Sequence, residues 1–159
     1  MQQEENIKFE EEKDLSKTYF SRLHNVNNDV VQKLHGQGIY SAAEALSHLA
    51  TPQLRKQFEG KLNLTEAQLL DVVHRADFLR MHRCGDEYSD LLVHTGVKGL
   101  RDLQNRDPDK LYNQLANAAR KSGIHKAPLR EEVGEWVLEA AKYPLKVIDN
   151  PNVVGQSIS

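Results

Sequence analysis

Sliding the chain along itself until Leu23 falls on Met81 lays LHNVNNDVVQKLHGQGI over MHRCGDEYSDLLVHTGV with the apolar positions in register. Val26 then meets Cys84, Leu34 meets Leu92, Gly38 meets Gly96 and Ile39 meets Val97. A unit that occurs twice leaves one apolar face uncovered in each copy, and a single fold must cover both. Two copies are too few for an open solenoid. The expectation is therefore a duplicated supersecondary unit whose halves pack face to face around a common core.

The second copy sits in the stretch Leu69 to Leu103. Leu69, Val72, Val73, Ala76 and Leu79 recur at helical spacing, Arg83, Cys84 and Gly85 break the pattern, and Leu91, Leu92 and Val97 resume it on a new axis. This predicts a helix to about Met81, a tight hairpin, and a helix that stops at glycine. The first copy reads the same way: Tyr19, Phe20 and Leu23, an interruption at Asn25, Asn27 and Asn28, then Val30, Val31 and Leu34, with Gly36 and Gly38 at the helix end. Between and after the copies stand helix starts. Ser41 with Glu44 and Thr65 with Gln68 are capping boxes, and Thr51-Pro52 and Asp107-Pro108 are caps followed by a first-turn proline. Gly123 ends one helix, and Pro128 opens the last, with Val133, Trp136, Val137 and Ala140 on one face before Pro144. No run alternates apolar and polar residues over a useful length, so the fold class is all-α. Residues 1–14, acidic and poor in apolar anchors, are expected to be a mobile arm, residues 15–143 the domain, and residues 144–159 a C-terminal tail.

Hydrophobic residues make up 39% and charged residues 28% of the 159, with a formal net charge of -2, which is the balance of an ordinary globular protein. No run approaches the ~20 apolar residues of a membrane span. The start MQQEENIKFEEEKD lacks an apolar core, so no secretory leader is expected and the cytoplasm is the expected location. Cys84 is the single cysteine. It cannot form an internal disulfide or a zinc site with cysteine partners, and its place opposite Val26 makes it a small buried hydrophobe. His24 and His82 fall at equivalent positions, a coincidence that any repeat inherits. There is no glycine-rich phosphate loop, no helical metal-ligand pair with an acid, and no serine elbow. The expectation is no enzyme, with no catalytic residue, no metal ligand, no cofactor and no small-molecule substrate.

The runs Leu23-x-Asn25-Val26-Asn27 and Met81-x-Arg83-Cys84-Gly85, each followed by a helix ending in Gly-Ile or Gly-Val, resemble the helix-hairpin-helix pattern, whose hairpin reads apolar-x-Gly-apolar-Gly. With LATPQLRKQF, ADFLRMHRCGDEYSDLLVHTGVKGLRDL, PDKL and EWVLEAAK in that order, residues 20–143 are similar to the bacterial domain-of-unknown-function family 4332, a tandem helix-hairpin-helix family. The resemblance implies two such units packed as one compact helical domain, and it implies no reaction.

Nucleic-acid-binding hairpins use two glycines so that backbone N–H groups reach a phosphate, helped by the positive end of the next helix. Here Asn25 and Asn27 stand in the first hairpin and Arg83 and Gly85 in the second. These four positions are structural or phosphate-facing. Asparagine tolerates left-handed backbone, but its side chain fills the phosphate's space, and Asp29, Asp86 and Glu87 beyond the hairpins repel an anion. Charge is also uneven along the chain: residues 97–130 hold eight basic against three acidic residues, and residues 131–150 five acidic against two basic. A basic loop of Arg120, Lys121, His125, Lys126 and Arg130 therefore precedes an acidic helix. The expected function is a non-catalytic module that docks on a protein partner as an adaptor or assembly factor. The alternative is weak, sequence-independent nucleic-acid binding through the hairpins and the basic loop.

Overall fold

The structure is a computed structural model that describes residues 26–81, 83–123 and 126–149. The arm at 1–14, Leu23, His24 and Asn25 of the first hairpin, His82, His125, and residues 150–159 lie outside the described residues. Those described form eight helices and no strand, so the chain is all-α: α1 Asn28–Gly36, α2 Ala42–Leu49, α3 Pro52–Leu62, α4 Glu66–Phe78, α5 Gly85–His94, α6 Gly99–Leu103, α7 Pro108–Ser122 and α8 Arg130–Ala140.

Among the described residues, α1 to α4 correspond to α5 to α8 in several local features. α1 and α5 both close with two backbone bonds around a left-handed glycine. At the first, Ile39 N–H reaches Leu34 C=O and Gly38 N–H reaches His35 C=O; at the second, Val97 N–H reaches Leu92 C=O and Gly96 N–H reaches Val93 C=O, all at 3.0 Å. This is the closure in which an apolar residue beyond the glycine packs back on the last turn, and Leu34, Ile39, Leu92 and Val97 are all buried. α3 and α7 both start on a side-chain cap and a proline. Thr51 Oγ1 accepts from Leu54 N–H at 3.2 Å, and Asp107 Oδ1 accepts from Asp109 N–H at 2.9 Å. Both end on a left-handed residue, Asn63 at φ 54° and Gly123 at φ 69°. In α4 and α8 the buried sets Leu69, Val72, Val73, Ala76 and Val133, Trp136, Val137, Ala140 have the same spacing.

α4 is the central helix, in contact with α2, α3, α5 and α6, while α8 rests on α6 and α7. Its start carries the full capping box, Gln68 N–H to Thr65 Oγ1 at 3.1 Å and Thr65 N–H to Gln68 Oε1 at 2.9 Å. It ends at Phe78, earlier than the apolar spacing predicts. Leu79 and Met81 belong to the turn, where Arg80 N–H and Met81 N–H bond three residues back, and both stay buried because the turn itself is tucked into the body.

The apolar side chains collect in two clusters, where a single shared core was expected. One joins α1 to α4 and includes Val147; the other joins Phe78, Met81 and Cys84 to α5 through α8. Polar groups cross the gap. The buried Arg75 guanidinium pairs with buried Asp90 and, at 2.8 Å, with Asp71. Asp77 takes Arg80 Nη1 at 2.8 Å and Leu100 N–H at 2.7 Å. Arg75 is left by burial with a weaker hold on its proton, but the hydrogen bonds that it donates to both carboxylates outweigh this and shift it upward.

Residues 144–149, assigned to a tail by sequence, return to the first half. Val147 is buried in the α1–α4 cluster and Ile148 N–H reaches Ala50 C=O at 2.9 Å. Arg55, fully buried, gives Nη2 to Ile148 C=O at 2.6 Å and Asp149 C=O at 3.1 Å, Nη1 to Leu49 C=O at 2.9 Å, and Nε to Glu66 at 2.9 Å. His74 Nε2 meets Asp149 Oδ1 at 2.8 Å, and Arg80 Nη2 donates to Pro144 C=O at 2.6 Å.

Candidate functional site

The turn between α4 and α5 has left-handed backbone at the two positions where a phosphate-binding hairpin carries glycine: Arg83 at φ 69° and Gly85 at φ 65°. Cys84 between them points inward and is 1% exposed. Burial, and then the Glu139 carboxylate, push its thiol up and out of the range of an active nucleophile. Arg83 is exposed and reaches over a groove of about 390 Å³ that it shares with Glu132, Glu135, Trp136, Leu138, Glu139 and Lys142.

α8 supplies most of that groove. Its inner face is Val133, Trp136, Val137 and Ala140, with the Trp136 ring 4.9 Å from that of Tyr88. Its outer face is polar except for Leu138, which is 70% exposed. Leu129, just before the helix, is 64% exposed, and its N–H is held at 2.9 Å by Glu132 Oε1 reaching back across the first turn. Burial and then the Glu132 and Glu87 carboxylates raise the Tyr88 hydroxyl. The first turn of α5, with Asp86 and Glu87, thus adds its negative field to that of α8. Glu87 N–H is bonded to Asp86 Oδ1 at 3.1 Å, so the positive end of α5 has an internal anion.

At the first hairpin Asn27 caps α1, its Oδ1 accepting from Asp29 N–H at 2.8 Å, and the side chain proposed for phosphate is used by its own helix. The basic residues at 120–130 are not gathered into one surface by shared contacts. Arg130 Nη1 pairs with Asp109 Oδ1 at 2.7 Å and its guanidinium lies 4.5 Å from the Tyr112 ring centroid, so it is held on α7. Arg120 Nη2 bonds Asn117 Oδ1 at 3.1 Å, while Lys121 and Lys126 are exposed. A second cleft of about 200 Å³ lies where residues 145–149 pass Asp77, Lys98, Arg101, Asp102 and Asn105. Burial works to raise the Asp102 carboxyl, but hydrogen bonds from Arg106 and the Lys98 N–H hold it below the usual carboxylate range.

Among the described residues no group of three or more His, Cys, Asp or Glu side chains could hold a metal ion, and no helix is long and apolar enough to cross a membrane. The sequence singles out Arg83 and Gly85 and marks the helix of Glu132, Glu135 and Glu139 as acidic, but Leu138 was not among the residues read from it. The available signal was a leucine on the acidic face of EEVGEWVLEA, off the spacing of the buried set. No curated protein and no solved structure matches the chain. A family model described as a domain of unknown function (DUF4332) matches residues 24–143, a span that contains all eight helices, and the chain belongs to that family.

Proposed function

We propose that the chain is a non-catalytic tandem helix-hairpin-helix module of the cytoplasm that docks on a protein partner, as an adaptor or assembly factor. One observation carries the reading: the turn that would face a phosphate looks instead onto carboxylates, Asp86 and Glu87 on α5 and Glu132, Glu135 and Glu139 on α8. A phosphate there would meet negative potential from two helices, and the Glu87 N–H in the first turn of α5 is already taken by Asp86 Oδ1. The exposed Leu138 supplies apolar area of the kind that buries against a protein.

Nucleic-acid binding remains the second reading, favoured by the exposure of Arg120, Lys121 and Lys126. Fluorescence anisotropy with a short labelled duplex separates the two. We expect binding weaker than roughly 10 µM at physiological salt, within the range of non-specific contacts. Submicromolar binding that falls steeply with salt and is lost in Lys121→Glu/Lys126→Glu would promote the second reading. Recovery of a protein on the tagged chain from its own lysate, unchanged by nuclease, is the result expected of the first.

A further inference from the structure

We infer that the groove between the 83–85 turn and α8 is a seat for a basic, amphipathic helix of the partner protein; this rests on the protein-docking reading and names its surface and partner class. Glu132, Glu135, Trp136 and Glu139 recur at intervals of three and four along α8, so the groove follows a helix axis for about two turns, roughly 10 Å. A second helix laid alongside would present residues at the same intervals. Trp136 lies in the lining and is almost wholly buried, while Leu138, also in the lining, is 70% exposed. An apolar side chain of the partner has Leu138 to pack against, above the buried Trp136.

Charge selects the occupant. Three carboxylates on α8 line the groove, and Asp86 and Glu87 stand on the first turn of α5, while Arg83 and Lys142 are the two cations in the lining. A second copy of this chain bringing its own α8 would place carboxylates against carboxylates. A nucleic acid or an anionic membrane meets the same repulsion. A helix with Lys or Arg flanking one or two leucines meets complementary charge on both sides of an apolar centre, the arrangement that speeds encounter and fixes register.

The test uses the full-length protein and a synthetic helical peptide with leucines at intervals of three and four and lysines on either side. Its control is a scrambled peptide of the same composition. Binding is read by anisotropy of the labelled peptide and, independently, by the emission of Trp136, the single tryptophan. The expected result is micromolar binding of the amphipathic peptide, a weaker response to the scrambled one, and loss of about tenfold or more in affinity in Leu138→Asp and in Glu135→Lys/Glu139→Lys. Raising salt from about 0.05 M to about 0.5 M should weaken binding as screening shortens. Leu138 and Glu135 are exposed while Glu139 is half-buried, so the single variant Glu135→Lys is measured beside the double one, and an unchanged melting temperature verifies that each variant is folded. No peptide binding, equal binding of the scrambled peptide, or binding untouched by either variant overturns the groove assignment. If a nuclease-resistant protein is still captured from lysate by Leu138→Asp, the docking reading survives while the groove assignment falls.

Discussion

Cys84 and Arg83 are adjacent and obey opposite constraints. Cys84 takes the place that Val26 has in the first copy, and a carboxylate there would be buried without a partner. Cys84→Asp should lower stability by about 2 to 4 kcal/mol, read from a thermal melt. Cys84→Val should fold, and it should differ from wild type in its response to pH. An unfolded thiol titrates near about 8.5. The folded one is raised by burial and keeps its proton well above that. As pH climbs past 8.5 the unfolded chain therefore releases a proton that the native chain retains. The native state then binds more protons, the slope is negative, and stability falls by up to about 1.4 kcal/mol per pH unit. Urea titrations of wild type and Cys84→Val should run parallel below pH 8 and diverge above 9, with the valine chain the more stable. Profiles that stay parallel to pH 10.5 would contradict the burial of the thiol.

At Arg83 the constraint is backbone: a side chain is held at φ 69°, where non-glycine residues are strained. Arg83→Gly should leave stability unchanged or raise it by up to about 1 kcal/mol, while Gly85→Ala should lower it by about 1 kcal/mol. A Cβ on Gly85 meets nothing within 4 Å, so the second loss is conformational strain alone. Chemical denaturation of the two variants reads the contrast. A large loss in Arg83→Gly would mean that the guanidinium holds the turn.

Among the elements, those with local causes were legible in the sequence. Thr65 with Gln68, Thr51 with Pro52 and Asp107 with Pro108 each act within one helical turn, and all three sit where their residue types place them. The end of α4 was misplaced by about one turn, because Leu79 and Met81 are apolar for tertiary reasons and extend the pattern beyond the helix. Leu138 and the groove were not legible for the complementary reason: a concave surface depends on how the turn at Arg83 is set against α8, which periodicity within a helix does not encode. The inner face of α8 was readable, and it makes a direct prediction. Trp136 is 2% exposed and packs against Tyr88, so Trp136→Ala should lower stability by roughly 3 to 5 kcal/mol and detach the helix. The native chain should emit at short wavelength. Emission like that of free indole would deny that burial.

At the scale of the whole molecule the two halves are joined by α4, by the buried Arg75–Asp90 ion pair, by the hydrogen bond from Leu100 N–H to Asp77, and by residues 144–149 crossing from α8 to the first half. In the sequence that crossing reads as tail because its partners lie far away along the chain and it opens on Pro144, with Pro151 just beyond it. The residue that receives it breaks the repeat. Counted from the helix caps, Arg55 in α3 stands where α7 has Leu111, and both are fully buried. A leucine there needs only apolar neighbours, whereas a buried guanidinium needs acceptors, and two of those of Arg55 are the carbonyls of Ile148 and Asp149. Deleting residues 144–159 should therefore lower stability by about 2 to 4 kcal/mol, through the burial lost at Val147 and the acceptors lost at Arg55. Arg55→Leu should be harmful in the full chain, where it leaves those carbonyls without a donor, and much milder in the shortened chain, where it restores the pattern of the second half. Urea denaturation of the four proteins gives the coupling, expected at about 1 to 3 kcal/mol for groups in one network. If the two changes simply add, Arg55 does not hold the crossing segment, which is then held by the burial of Val147 and by the bonds of Ile148 to Ala50 and of Asp149 to His74.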